Sequence, residues 1–188
     1  EQATVAEYTA RKYQPLFDDL QVPEPDAASL HQALLAREQI AGQAAGTQRE
    51  QALAEADQRI RSLLHPADFA IYQALADSDL EQFQLEQFAG GVSNVAPLDA
   101  EERKAILRTK LAYKQRFQQL VQDAGLLRAD LGREEREYAL GVASRALADY
   151  QHDYLQEIRQ YIANDEQFAL LANYEKTEFT DQLAKLRE

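Results

Sequence analysis

Apolar residues recur at intervals of three and four along most of this chain, and this spacing constrains the fold more than any other feature. It places the apolar side chains along one side of an α-helix, which makes a turn every ~3.6 residues. One stripe consists of Ile106, Tyr113, Phe117, Leu120 and Ala124. The longest consists of Leu140, Ala143, Leu147, Tyr150, Tyr154, Ile158 and Tyr161. We interpret both stripes as core-facing sides of helices.

Helix start and stop signals divide the chain into seven predicted helices. Three pairs have the spacing of an N-terminal cap: Thr47 with Glu50, Asp99 with Glu102, and Asn164 with Gln167. Pro66 follows His65 at a first helical position, Gly125 is a stop signal, and Pro15 should kink or restart the first helix. The predicted helices lie near residues 4–20, 27–44, 48–64, 67–89, 99–124, 132–163 and 165–187.

The composition agrees with an all-α fold. Apolar residues make up 45% of the 188 residues, and Gly and Pro are scarce. Ala, Leu, Gln, Glu and Arg are strong helix formers, and they are abundant here. The length suffices for one large domain or two small ones.

Two stretches are similar enough to predict an internal repeat. "IRSLLHPADFAIY" (60–72) aligns with "IRQYIANDEQFALL" (158–171), and "YQPLFDDLQV" (13–22) aligns with "FQQLVQDAGL" (117–126). We therefore expect two diverged copies of one helical unit, packed as an elongated helical bundle. The predicted bounds are 1–91 for the first repeat, 92–98 for a linker and 99–188 for the second repeat, and we expect the whole to form one continuous domain. 

The alignment also predicts equivalent positions within the two copies. His65 and Asn164 should both lie at the junction between a long helix and the next helix. Phe69 and Phe168 should be equivalent core anchors, one turn inside those helices. The glycines of "AGGVSN" (89–94) are interpreted as part of a linker.

The net charge of −12 narrows the classes of partner. Binding of nucleic acid phosphates needs a surface of Lys and Arg, so we expect no nucleic acid partner and no anionic membrane surface. No apolar run is long enough to span a membrane. The chain does not begin with Met, and we expect a removed signal peptide, an anchor or an upstream domain before residue 1.

Histidine side chains are potential metal ligands, and the chain has three of them. Asp149, His152 and Asp153 are the best candidates, because Asp149 and His152 share one side of a helix. A catalytic zinc needs three protein ligands, and a di-iron bundle needs two Glu-x-x-His motifs, so the prediction is a solvated helix face. His31 is predicted to be a partly buried helix residue, and His65 a capping residue.

Catalytic motifs are missing from the sequence. It has no cysteine, no G-x-S-x-G, no P-loop and no G-x-G-x-x-G. We therefore predict a non-enzymatic protein without a cofactor.

Four helix starts share a leucine or isoleucine, a capping residue and then one or two acids or Gln. They are "LQVPEPDAASL" (20–30), "LLHPADFAIY" (63–72), "PLDAEERKAIL" (97–107) and "IANDEQFALL" (162–171). This pattern resembles the LTxxQ-type (Spy/CpxP-like) helical proteins of the bacterial envelope. The resemblance implies an extracytoplasmic, periplasmic protein that is all-helical, has no enzymatic activity and binds unfolded or partner polypeptides.

The leading hypothesis is accordingly a chaperone- or adaptor-like binding protein of the bacterial envelope. Its partner would be a polypeptide, held on an exposed apolar or aromatic patch, and a homodimer is left open. The acidic charge would favour basic or unfolded clients. The alternative is an extracytoplasmic ligand-sensing domain of a membrane receptor.

Overall fold

The computed structural model describes residues 2–20, 24–126, 128 and 130–187. All regular secondary structure within these residues is α-helical, as the apolar spacing predicts. None of the described helices combines the length and the apolar character needed to cross a bilayer. The helices of the described residues are α1 (Gln2–Asp19), α2 (Glu24–Ala41), α3 (Thr47–Leu63), α4 (Pro66–Ala76), α5 (Asp79–Val92), α6 (Ala100–Asp123), α7 (Arg133–Arg159) and α8 (Asp165–Arg187).

The chain divides into two compact units, residues 1–79 and 80–188. In the first unit, α1 packs against α2 and α4, and α3 packs against α2 and α4. In the second unit, α7 packs against both α6 and α8, and side chains of α5 contact α6 and α8. These units are defined by packing, whereas the predicted repeats are defined by sequence similarity. The predicted repeat bounds therefore stay a prediction.

The helix predicted over 67–89 is in fact two helices, α4 and α5. The break lies at Asp77 and Ser78, where the Ser78 hydroxyl donates to the Leu75 carbonyl at 2.6 Å. The Ser78 amide donates to the same oxygen at 3.1 Å. Asp and Ser side chains compete with the backbone for hydrogen bonds and so favour helix ends over helix interiors. The prediction of a single helix was therefore wrong.

The capping predictions have different outcomes. Asp99 forms the predicted capping box: its carboxylate accepts from the Glu102 amide at 2.8 Å, and Glu102 accepts from the Asp99 amide at 2.9 Å. Asn164 Oδ1 accepts from the Gln167 amide at 3.1 Å and so caps α8. The Thr47 prediction was wrong, because Gly46 is the N-cap of α3 and no side chain caps it.

The predictions for Gly125 and for the glycines at 90 and 91 have different outcomes. Gly125, with φ of 70°, ends α6 as predicted. The Leu126 amide donates to the Val121 carbonyl and the Gly125 amide to that of Gln122, which is the Schellman arrangement. Gly90 and Gly91 were wrongly assigned to a linker, since both lie inside the last turn of α5.

Each unit has its own buried core. Fully buried side chains of the first unit include Leu16, Leu30, Leu34 and Ile60. α1 continues through Pro15 without restarting, so Leu16 stays on its buried side. Those of the second unit include Ile106, Ile158, Ile162 and Leu171. Each such side chain contributes ~1.5–3 kcal/mol through burial.

The two helix junctions of the predicted repeat show similar local contacts. Arg61 Cζ lies 5.3 Å from the ring centroid of Phe69, and Arg159 Cζ lies 5.0 Å from that of Phe168. Both rings are only half-buried, so the prediction of core anchors was wrong.

The order of helices differs around the upstream half of the alignment. Two helices, α2 and α3, separate residues 13–22 from the first junction, whereas only α7 separates residues 117–126 from the second among the described residues. The predicted repeat implies that residues 13–88 superpose on 117–186, and this helix order does not fit such a superposition over its whole length.

Candidate functional site: a cavity in the second unit

A partly open cavity of about 280 Å³ lies among α5, α6, α7 and α8. Five aromatic side chains form much of its wall: Tyr113, Phe117, Tyr150, Tyr154 and Phe179. Aromatic walls with a few placed polar groups are typical of binding pockets. We therefore take this cavity as the candidate functional site.

Helical periodicity brings these residues to one place. Along α6, the residues Lys110, Tyr113, Lys114 and Phe117 all face the cavity, with a spacing of three and four. α7 contributes Leu147, Tyr150, Gln151 and Tyr154 in the same spacing. The spacing puts each set on one side of its helix.

The two stripes predicted as core are thus only partly core. Ile106, Leu147, Tyr154 and Ile158 are buried, as predicted. Tyr113, Phe117 and Tyr150 are half-buried, because the helices that face them leave the cavity open. Tyr161 is exposed and lies beyond the end of α7.

A buried ion pair forms the polar end of the cavity. Lys110 Nζ lies 2.7 Å from Glu175 Oε1 and 2.9 Å from Oε2. The Tyr154 hydroxyl donates to Glu175 Oε1 at 3.0 Å. Burial, followed by the charge of Glu175, raises the pKa of Tyr154 well above its ordinary value. The phenol therefore stays protonated and remains a donor at neutral pH.

A second set of polar side chains lies along α5. Lys114 Nζ forms an ion pair with Glu81 at 2.9 Å. The Gln84 amide donates a hydrogen bond to the Glu178 carboxylate. Among the described residues, Glu178 is thus paired with an amide rather than with a cation.

The first unit also contains a buried charged cluster. Lys12 is fully buried and lies 3.3 Å from a Glu38 oxygen and 2.6 Å from an Asp79 oxygen. The Tyr13 hydroxyl donates to Glu38 at 2.7 Å, and Arg37 donates to the same oxygen at 2.8 Å. Because the cations and the phenol of this cluster all contact its carboxylates, we interpret the cluster as structural. Among the described residues, only the buried Arg37 Nε of these groups makes no hydrogen bond.

The metal-ligand candidates from the sequence belong neither to the cavity of the second unit nor to the charged cluster of the first. Asp149, His152 and Asp153 are exposed on α7. Within the described residues, no group of three or more His, Asp or Glu side chains is placed to hold a metal ion.

The predictions for the other two histidines have different outcomes. His31 is exposed, and its ring stacks on Phe17 at 3.9 Å between centroids. His65 is the N-cap residue of α4, as expected, but its side chain makes no capping hydrogen bond.

Sequence reasoning missed the buried charges. A signal was present, since Lys110 follows Ile106 by four positions, and Glu175 follows Leu171 by four. Each charged residue therefore lies on the apolar side of its helix. A charge in such a position needs a buried partner, and the two partners here lie on different helices.

Comparison of the chain with protein-family models, with curated proteins and with solved structures gives no match. The function of the chain therefore has to be inferred from its own geometry.

Proposed function

We propose that this chain is a non-enzymatic, chaperone- or adaptor-like binding protein of the bacterial envelope. It holds a segment of a partner polypeptide at the cavity of the second unit. The observation that carries this proposal is the aromatic wall of a partly open cavity of about 280 Å³. The periplasmic location follows from the resemblance of its helix starts to the LTxxQ-type proteins.

Exposed apolar side chains beside the cavity support a polypeptide partner. Leu80 lines the cavity and is 56% exposed. Phe83, three positions later on the same side of α5, is 59% exposed. Large apolar side chains grouped in this way are typical of surfaces that bind another chain.

The ligand-sensing domain is the second candidate function. The cavity volume lies just below the ~300 Å³ at which small-molecule pockets begin, and several polar groups converge on it. A small ligand would occupy the cavity alone, whereas a polypeptide would also cover Leu80 and Phe83.

Duplication of one helical unit remains part of the proposal. The paired contacts of Arg61 with Phe69 and of Arg159 with Phe168 support it at the two junctions. The different helix order upstream restricts it to the segments around those junctions.

An aggregation assay on an unfolded client tests the binding function. The wild-type protein should delay aggregation, and the double variant Leu80→Ser, Phe83→Ser should lose most of that effect. The matched control is Val95→Ser, Tyr161→Ser, which removes two exposed apolar side chains that do not line the cavity. Equal activity of the two double variants would contradict the proposed site.

A thermal-shift screen separates the two candidates. If the wild-type protein leaves aggregation unchanged while a small molecule raises its melting temperature, the sensor function is favoured.

A further inference from the structure

The charges of the described side chains that line the cavity do not cancel. Lys110 is neutralised by Glu175, and Lys114 forms an ion pair with Glu81. Glu178 supplies a further carboxylate, which accepts a hydrogen bond from the uncharged Gln84 amide. Among the residues that the structure describes, the five charged side chains of the wall therefore leave one negative charge in excess.

The aromatic wall favours a cation as well. The face of an aromatic ring carries partial negative charge and attracts a cation within ~6 Å of its centroid. Two of the rings already have a cation within this distance. Lys110 Nζ lies 6.0 Å from the centroid of Tyr154, and Arg116 Cζ lies 4.6 Å from that of Tyr113. The wall also includes Phe117, Tyr150 and Phe179.

An anionic ligand would meet less favourable surroundings. Both lysines already hold carboxylates at 2.7–2.9 Å, so an incoming anion would have to compete with Glu175 or Glu81. Displacing either carboxylate would leave a charge without its partner in a partly buried site, which is costly. A neutral ligand would gain nothing from Glu178 beyond an ordinary hydrogen bond.

We propose that the cavity receives an ammonium or guanidinium group on an apolar stem, with Glu178 as its counter-charge and the aromatic rings around the stem. This inference rests on the proposed function, under which the group is an Arg or Lys side chain of the partner polypeptide. A free amine offers the same chemistry and is the other source. The small volume suits a single side chain or a small amine.

Calorimetric titration of the full chain with matched peptides tests the charge preference. Three peptides of the form acetyl-Gly-Leu-X-Leu-Gly carry Arg, its neutral isostere citrulline, or Glu at X. The Arg peptide should bind about tenfold or more tightly than the citrulline peptide, because a charge-assisted hydrogen bond is added. The Glu peptide should bind most weakly.

Variants assign the preference to one carboxylate. Glu178→Gln keeps the shape of the side chain and should abolish the difference between the Arg and citrulline peptides. Glu166→Gln is the control, since it makes the same charge change on the same helix at an exposed position outside the cavity. It should preserve the difference.

Benzylamine and benzyl alcohol distinguish the sources of the cation and separate the two proposals. If no peptide binds, the polypeptide function fails. The cation site would still be supported, with a free amine as its source, if the protein bound benzylamine but not benzyl alcohol and Glu178→Gln removed this binding. If peptides bind without regard to charge, or if the preference persists in Glu178→Gln, the inference is overturned while polypeptide binding stands. Failure of both peptides and benzylamine to show a Glu178-dependent preference overturns it too.

Discussion

At the scale of single residues, Lys110 and Glu175 present a problem of solvation. Transfer of two charges from water into a protein interior costs several kcal/mol for each ion, and their mutual attraction offsets this cost only with good geometry. Here Glu175 accepts from Lys110 with both oxygens and from the Tyr154 hydroxyl. The pair is therefore stable only while all three groups are present.

Removal of one partner tests this dependence. Lys110→Met leaves Glu175 without its cation and should lower the free energy of unfolding by about 3–5 kcal/mol. Addition of Glu175→Leu should restore most of the loss, because the double variant contains no isolated charge. Urea denaturation followed by circular dichroism measures both changes.

An exposed ion pair provides the control. Arg133 and Glu137 have side chains that are 91% and 65% exposed, so Arg133→Ala should cost less than about 1 kcal/mol. If Lys110→Met were as mild as Arg133→Ala, the pair would contribute nothing that depends on burial.

Asp79 makes stability depend on pH. Burial alone would raise the pKa of this carboxyl, but hydrogen bonds from Lys12 and Tyr8 outweigh it and hold the pKa below its ordinary value. A pKa lowered by folding adds stability above the unfolded value of ~3.9, and this stability is lost as the pH falls through the folded value. Asp79→Asn should therefore be less stable than the wild type at pH 7.

The difference between Asp79→Asn and the wild type should shrink at pH 3, which lies below the unfolded pKa of ~3.9, because the stability that the lowered pKa adds is lost toward acid pH. Urea denaturation at the two pH values measures it, with Asp149→Asn on the exposed side of α7 as the control. A difference that grows toward acid pH would contradict the assigned role of Lys12.

At the scale of helices, the two capping boxes that the sequence predicts differ in the structure. Asp99→Ala removes a cap that satisfies the Glu102 amide, and it should cost about 0.5–2 kcal/mol. Thr47→Ala should be nearly neutral, because Thr47 lies inside α3 and its side chain caps nothing. Thermal unfolding of both variants measures the contrast, and equal losses would show that Thr47 caps α3 in solution.

Local signals explain which helix features were predictable. The caps at Asp99 and Asn164 and the stop at Gly125 depend on residues within five positions, so the sequence shows them directly. The break at Ser78 was hidden, because the apolar spacing of α4 resumes in α5 with little change. Propensity alone does not decide whether a Ser lies inside a helix or ends one.

The candidate site was predictable only in part, since it depends on which helices face one another. Spacing along α6 and α7 identified the side that carries Tyr113 and Tyr150. It did not show that the opposite helices would leave a cavity there, nor that Lys110 would find Glu175, which is 65 residues away.

At the scale of the whole molecule, the charge excess of the cavity has the same sign as the charge of the chain. The net charge of −12 raises the concentration of positively charged partners near the surface, and salt weakens this effect. The single carboxylate of Glu178 would then select among the partners that arrive. The long-range attraction is a property of the whole chain, whereas the selection requires only residues of the second unit.

This separation leads to a prediction about fragments. Every described residue that lines the cavity lies within 80–188, and that unit has its own cores, including the cluster of Val121, Leu126, Ala139 and Ala143. A fragment of residues 79–188 keeps α5 whole and is long enough to bury a core. It should give a helical circular dichroism spectrum with cooperative unfolding. At physiological salt, where long-range attraction is screened, its affinity for the Arg peptide should lie within about threefold of that of the full chain.

A fragment of residues 1–78 is the control and should not bind the peptide. Binding by residues 1–78, or a folded 79–188 fragment that does not bind while the full chain does, would place the site outside the cavity.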